Sequence, residues 1–164
     1  MKYIIEEYIL EGEMYKPVLA KEIKRIFSRW LKTLNRIEKK TFRKYRKKSI
    51  LENNLNAKLR NNELPEEATI ISDALNRVCI EKNIIVFRRI SKNETIRMDG
   101  IKVGEYFSCL DFKGTHVGQT IKNKYNSGNY MLILIPKGSN VAYINNVTLR
   151  YRHEKELLID KGQL

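Results

Sequence analysis

Only two cysteines, Cys79 and Cys109, occur in 164 residues, too few for the disulfide framework of a small secreted scaffold. Together with only two histidines, His116 and His153, they fall into no metal-ligand spacing, so no metal is expected. No apolar run is long enough to span a membrane. No signal peptide is visible, because the opening MKYIIEEYILEGE carries acids where an apolar core would sit. GxGxxG, a phosphate-binding loop and an internal repeat are also missing, which removes the commonest nucleotide-binding folds and solenoids. What is present has globular proportions, 42% hydrophobic and 31% charged, and suits a single domain over residues 1–164 with a real core.

Negative charge is scarce in one place. The net charge is +13, and residues 21–50, KEIKRIFSRWLKTLNRIEKKTFRKYRKKSI, hold thirteen Lys or Arg against Glu22 and Glu38. Within this block Ile23, Ile26, Phe27, Trp30, Leu31, Leu34 and Ile37 recur at three- and four-residue steps, the mark of a helix packed along one stripe. The basic face is then left for solvent, or for nucleic acid or another acidic partner.

Helical spacing continues over 49–60, with Ile50, Leu51, Leu55 and Leu59 inward. It resumes after Pro65 and two acids, with Ile70, Ile71, Ala74, Leu75 and Val78 on the apolar side. From Asn83 the period changes. NIIVFRRI, GEYFSCLDF, YMLILI, VAYI and ELLI read as strands, with GTHVG, NSGN and PKGSN as turns between them. The expectation is an α+β fold, mainly helical over 1–82 and strand-rich over 83–164, with a mostly antiparallel sheet. Near the end, YRHEKELLID sets Glu154 and Glu156 two apart. If both lie in a strand they share a face, either as a working pair of acids or as the solvated lip of the strand.

Six pieces stand in a particular order. They are a basic helix with WL..L...E, then LNAKLR, VFRR, an aromatic-x-x-T turn, IPKGSNVAYI, and an aromatic three residues before ExE. In that order they resemble the bacterial mono-ADP-ribosyltransferase toxins of the arginine–serine–glutamate class. That class includes the enzymatic components of clostridial and bacillary binary toxins and the Rho-modifying exoenzymes, and the resemblance runs from about residue 22 to residue 164. It implies a helical layer on a two-sheet core with an NAD cleft between the sheets, NAD as substrate and no metal. It also implies transfer of ADP-ribose to an arginine of a host protein such as actin, by a secreted or delivered effector acting in a target-cell cytosol.

The resemblance assigns roles one by one. Glu156 would face the ribose as charge develops there, and Glu154 would handle the acceptor. Arg88 would brace the cleft and meet the NAD diphosphate, for which a guanidinium fork is suited. Arg89 follows it as in several actin-modifying members, or is a surface charge. Arg60 would face the phosphates, or simply close a helix. Tyr151 would pack on the target protein.

Two departures stand out. Where the family has Ser-Thr-Ser, the preferred match is DFKGTH, with Gly114 in place of the first serine and Thr115 retained. The alternative match uses Ser108 in YFSCL. Without the hydroxyl, Glu156 loses a hydrogen bond, and activity is expected to weaken. The family also continues past LLIDKG into a further strand, so an end at Leu164 would leave an unpaired edge. A second, carrier-binding domain ahead of the matched region, as in the binary toxin components, is not expected from these residues.

Overall fold

A computed structural model describes residues 2–48, 55–105, 108–122, 129–147 and 155–162. It opens with strands rather than helices. Strand β1 (Lys2–Ile4) precedes a hairpin of β2 (Tyr8–Leu10) and β3 (Glu13–Pro17). The hairpin turns on Glu11 and Gly12, whose φ values of 51° and 81° suit a two-residue connection. Strands within residues 2–17 thus precede the helical part, and the signal for them was the Glu-Gly pair between two apolar runs.

Five helices follow: α1 (Ala20–Ile26), α2 (Ser28–Thr33), α3 (Arg36–Lys48), α4 (Leu55–Arg60) and α5 (Glu66–Leu75). They fill the crossover that brings β4 (Ile84–Arg89) back parallel to β3, with Lys16 opposite Ile84. Ile23, Phe27, Trp30 and Leu34 are buried as the stripe requires, and Phe27, Trp30 and Phe42 meet edge to face. The Trp30 indole donates to the Ala74 carbonyl at 2.8 Å, fixing α2 on α5. Ile37 departs from the stripe and is 65% exposed. The reason is a new helix start. Asn35 accepts from the Glu38 amide at 2.9 Å and Glu38 accepts from the Asn35 amide at 2.8 Å, a reciprocal cap that resets the phase of α3. Of the stretch read as a helix over 49–60, the part from Leu55 is helical, and Ile50 and Leu51 lie outside the described residues.

The second half adds helix α6 (Lys92–Met98) and strands β5 (Lys113–His116), β6 (Thr120–Lys122), β7 (Tyr130–Ile135), β8 (Val141–Tyr143) and β9 (Glu156–Ile159). A seven-stranded sheet runs β2-β3-β4-β5-β9-β8, with β7 also paired to β4. A two-stranded sheet joins β1 to β6. Among the described residues every pairing but β3–β4 is antiparallel, giving helices on a mixed, mostly antiparallel two-sheet core. Strand β4 is apolar from Ile84 to Phe87, where both its faces are covered. Ile84 and Val86 join the main core beneath the helices, while Ile85 and Phe87 join Ile5, Tyr15 and Ile121 on the other side.

Two expectations fail together. The described residues of GEYFSCLDF are not a strand, and GTHVG is not a turn: Gly114, Thr115 and His116 belong to β5. A glycine inside a strand reads as a turn until the group packed against it is known.

Candidate active site

Strand β5 lies between β4 and β9, with His116 opposite Glu156 and Gly114 opposite Leu158. Its entry is fixed from α4. The Asn56 amide accepts from the Phe112 N–H at 3.1 Å and donates to the Phe112 carbonyl at 3.0 Å, as a neighbouring strand would. Thr115 is fully buried and its hydroxyl donates to the Leu157 carbonyl at 2.9 Å, stitching β5 to β9. Glu156, first residue of β9 and opposite His116, leans two residues along β5 onto Gly114. A Cβ added at Gly114 would stand 2.6 Å from Glu156 Oε1. The glycine is what lets the carboxylate lie against the backbone of β5.

The other carboxylate oxygen is held from α3. Arg46 Nε donates to Glu156 Oε2 at 3.0 Å, and the two side chains are 1% and 14% exposed. Arg46 also donates to the Asn145 side-chain and main-chain oxygens at 3.4 and 3.5 Å. Next to it, the Tyr45 ring packs edge-on to Phe112 with centroids 6.0 Å apart. Burial first, and then the Glu156 charge, push the Tyr45 phenol well above its ordinary value, so it remains a neutral hydroxyl.

Across Gly114 a second set of charges begins. Arg88 Nη1 donates to the Gly114 carbonyl at 2.7 Å, while its Nε and Nη2 reach Glu94 Oε1 at 3.3 and 2.9 Å. Lys113 bridges Glu94 at 3.5 Å and Asp111 at 2.8 Å, and Asp111 receives Arg60 at 2.6 Å. Glu94 also closes a capping box with Ser91 at the start of α6. Burial alone would raise the Glu94 carboxyl, but the Ser91 amide, Arg88 and Lys113 outweigh it and hold it at about 2. Three cations against two carboxylates leave the row one positive charge in excess. Of the five N–H donors of Arg88, three are engaged in these bonds. The arrangement fits an anionic diphosphate along this row.

Of the residues the sequence singled out, Glu156, Arg88, Arg60 and Gly114 therefore come together around β5. Thr115 does not line the site, since it is buried on the opposite face of the strand. Ser108, the alternative to Gly114, is exposed, and Gly114 is the residue beside Glu156. Glu154 and Tyr151 lie outside the described residues. Strand β9 starts at Glu156, and Lys155 just before it has φ 49°, off the extended backbone. Sequence reasoning missed Arg46, Asn56, Asp111, Lys113 and Glu94. Two of these left a trace: Ser91 and Glu94 have capping-box spacing, and Arg46 falls four residues after Phe42, on the inward stripe of α3. Among the described residues no group of three His, Cys, Asp or Glu could hold a metal ion, and no helix is long and apolar enough to cross a membrane.

Residues 23–164 match the ADP-ribosyltransferase exoenzyme family. The chain belongs to that family. Solved structures of similar fold include the ADP-ribosylating toxin BECa of a binary enterotoxin of C. perfringens, determined with NADH. That likeness has a TM-score of 0.69 and 20% identity, over 98% of this chain and 48% of that one. Plx2a, an ADP-ribosyltransferase toxin from Paenibacillus larvae, gives 0.66 and 16%, over 87% of this chain and 82% of that one. An ADP-ribosyltransferase from Clostridium botulinum gives 0.63 and 15%, over 87% and 83%. This chain thus spans about half the length of the C. perfringens toxin and most of the other two. At such identities the likeness is one of fold. No curated protein sequence matches the chain.

Proposed function

We propose that the chain is an NAD-dependent mono-ADP-ribosyltransferase that modifies an arginine of a host protein, with actin the leading target. The observation that carries this reading is the meeting of Glu156 and Arg88 at Gly114, the carboxylate against its Cα and the guanidinium on its carbonyl. Arg88 and Arg60 would take the NAD diphosphate at the two ends of their charge row. Glu156 would then face the ribose.

In the reaction the bond from ribose C1′ to nicotinamide breaks and its electron pair leaves with nicotinamide. The positive charge that develops on the ribose is stabilised by a carboxylate already fixed in place, with no reorganisation needed at that moment. C1′ then bonds to an arginine nitrogen of the acceptor, which gives up a proton. Glu154 would orient that guanidinium and accept the proton, and Tyr151 would pack on the target; both roles rest on the family resemblance. The exposed cations of α1–α3, among them Lys21, Lys24, Arg25, Arg29 and Arg36, suit an acidic surface on the substrate protein. Association with that surface should then weaken with salt, although a steep salt slope would equally be expected of nucleic-acid binding.

The test is release of nicotinamide from NAD, followed by transfer of label from NAD to purified actin, to a lysate and to a small guanidine acceptor. Wild type should release nicotinamide and label a protein band. Glu156→Gln should abolish both reactions, and Glu154→Gln should abolish transfer while sparing much of the hydrolysis. No nicotinamide release by a folded wild type would refute the reading.

A further inference from the structure

We propose that Arg46 is a positioning residue for Glu156, and that Gly114 and Arg46 work as one device that fixes the carboxylate from two sides. The inference rests on the reading of Glu156 as the group that faces the ribose. Gly114 offers no side-chain donor to Glu156, and a Cβ there would meet Oε1 at 2.6 Å. Oε2 is bound by Arg46 at 3.0 Å. The Arg46 side chain is only 1% exposed, so it is not open to a ligand from solvent, whereas Glu156 is 14% exposed. Its own direction is set by Asn145, in the 3₁₀ turn Ile144–Asn146 that follows β8. Glu156 is therefore aimed from α3, across a position of β5 that has no side chain to aim it.

This arrangement also carries a cost. A fixed positive charge 3.0 Å behind the carboxylate reduces the negative potential it presents to a cationic ribose. It is tolerable because a carboxylate in the wrong rotamer stabilises nothing, and the geometric gain is made before the reaction starts. The device also reverses the simple expectation for Gly114. Adding a serine hydroxyl at 114 means adding a Cβ first, and the carboxylate can make way only by leaving Arg46. With Arg46 in place the substitution should harm. With Arg46 gone the carboxylate can swing aside and the new hydroxyl can hold it.

The experiment measures NAD hydrolysis by the whole chain as wild type, Arg46→Gln, Gly114→Ser and the double variant, with thermal unfolding of each. Arg46→Gln should lower kcat by roughly tenfold to a hundredfold while KM for NAD moves by less than about threefold, since orientation and not binding is lost. Gly114→Ser should lower kcat in wild type, yet raise it in the Arg46→Gln background. A merely structural arginine would not produce that change of sign. Should Arg46→Gln fail to fold, Arg46→Lys keeps the charge and gives up the Nε geometry, and should show a smaller fall in kcat. The proposal is overturned if an active wild type keeps its kcat within about twofold in a folded Arg46 variant, or if Gly114→Ser has the same effect in both backgrounds. A folded wild type with no NAD hydrolysis would instead overturn the transferase reading, and this proposal with it.

Discussion

On one side of Gly114 the Arg46–Glu156 pair is almost dry, its side chains 1% and 14% exposed. On the other side Arg88, Glu94, Lys113, Asp111 and Arg60 form a row of five charges, and the arginines at its ends are 24% and 37% exposed. The row has understudies: Lys113 still has Asp111 if Glu94 is lost, and Arg88 still has the Gly114 carbonyl. Arg46 sets its short bond to Glu156 beside longer contacts to Asn145, and water has almost no access to replace either. The difference separates two ways of using arginine. A dry guanidinium shapes the protein, while a half-exposed one braced along a row keeps donors for a ligand.

The sharpest test of that contrast removes one carboxylate from each side. Glu156→Ala takes the carboxylate away from a buried guanidinium, and should destabilise the fold by about 3 kcal/mol or more. Glu94→Ala should cost about 1–2 kcal/mol, since its cations keep other acceptors and one is open to water. Urea unfolding of the two variants under one set of conditions measures the difference. Equal losses would erase the distinction between a dry pair and a redundant row.

A smaller effect is expected at Arg88. Arg88→Lys keeps a charge but loses the fork that spans the Gly114 carbonyl and Glu94. If the row binds diphosphate, KM for NAD should rise about tenfold, or about 1.4 kcal/mol, while the unfolding midpoint changes little. A fall in kcat with KM unchanged would instead assign Arg88 to positioning, as on the dry side.

How much of this was legible follows from what sets each feature. Strands β4, β7, β8 and β9 are apolar, β-branched runs, and their period alone reveals them. Strand β5 was hidden, because its glycine is explained only by a carboxylate from residue 156 packed against it, and no local pattern carries that distance. The same holds for Arg46. In the sequence it is one of thirteen cations between residues 21 and 50, and its burial is decided by contacts with residues 145 and 156, far along the chain. The stripe over α1–α2 was readable, but its extension to Ile37 failed where the Asn35–Glu38 cap restarted the helix. Arg88, Arg60 and Glu156 were found through motif order rather than physics, and the row of charges that joins the two arginines was not foreseen.

The smallest expected effect concerns acid. Glu94 is held at about 2 against an ordinary 4.5, so its folded value is depressed. A depressed carboxyl contributes stability that is fully present above its unfolded value and is lost as pH falls through its folded value. The window is therefore from about pH 4.5 down to about pH 2. The full shift would correspond to about 3 kcal/mol, but its partner Arg88 is 24% exposed and water screens the pair, so about 1 kcal/mol is a fair expectation. Unfolding free energy measured between pH 5 and pH 2 should fall more steeply in wild type than in Glu94→Gln, which has no proton to take up at that site. The two curves should run parallel above about pH 5. Equal slopes below that point would mean that the braced row is screened so thoroughly that Glu94 adds nothing to acid stability, and that Arg88 is held by the Gly114 carbonyl alone.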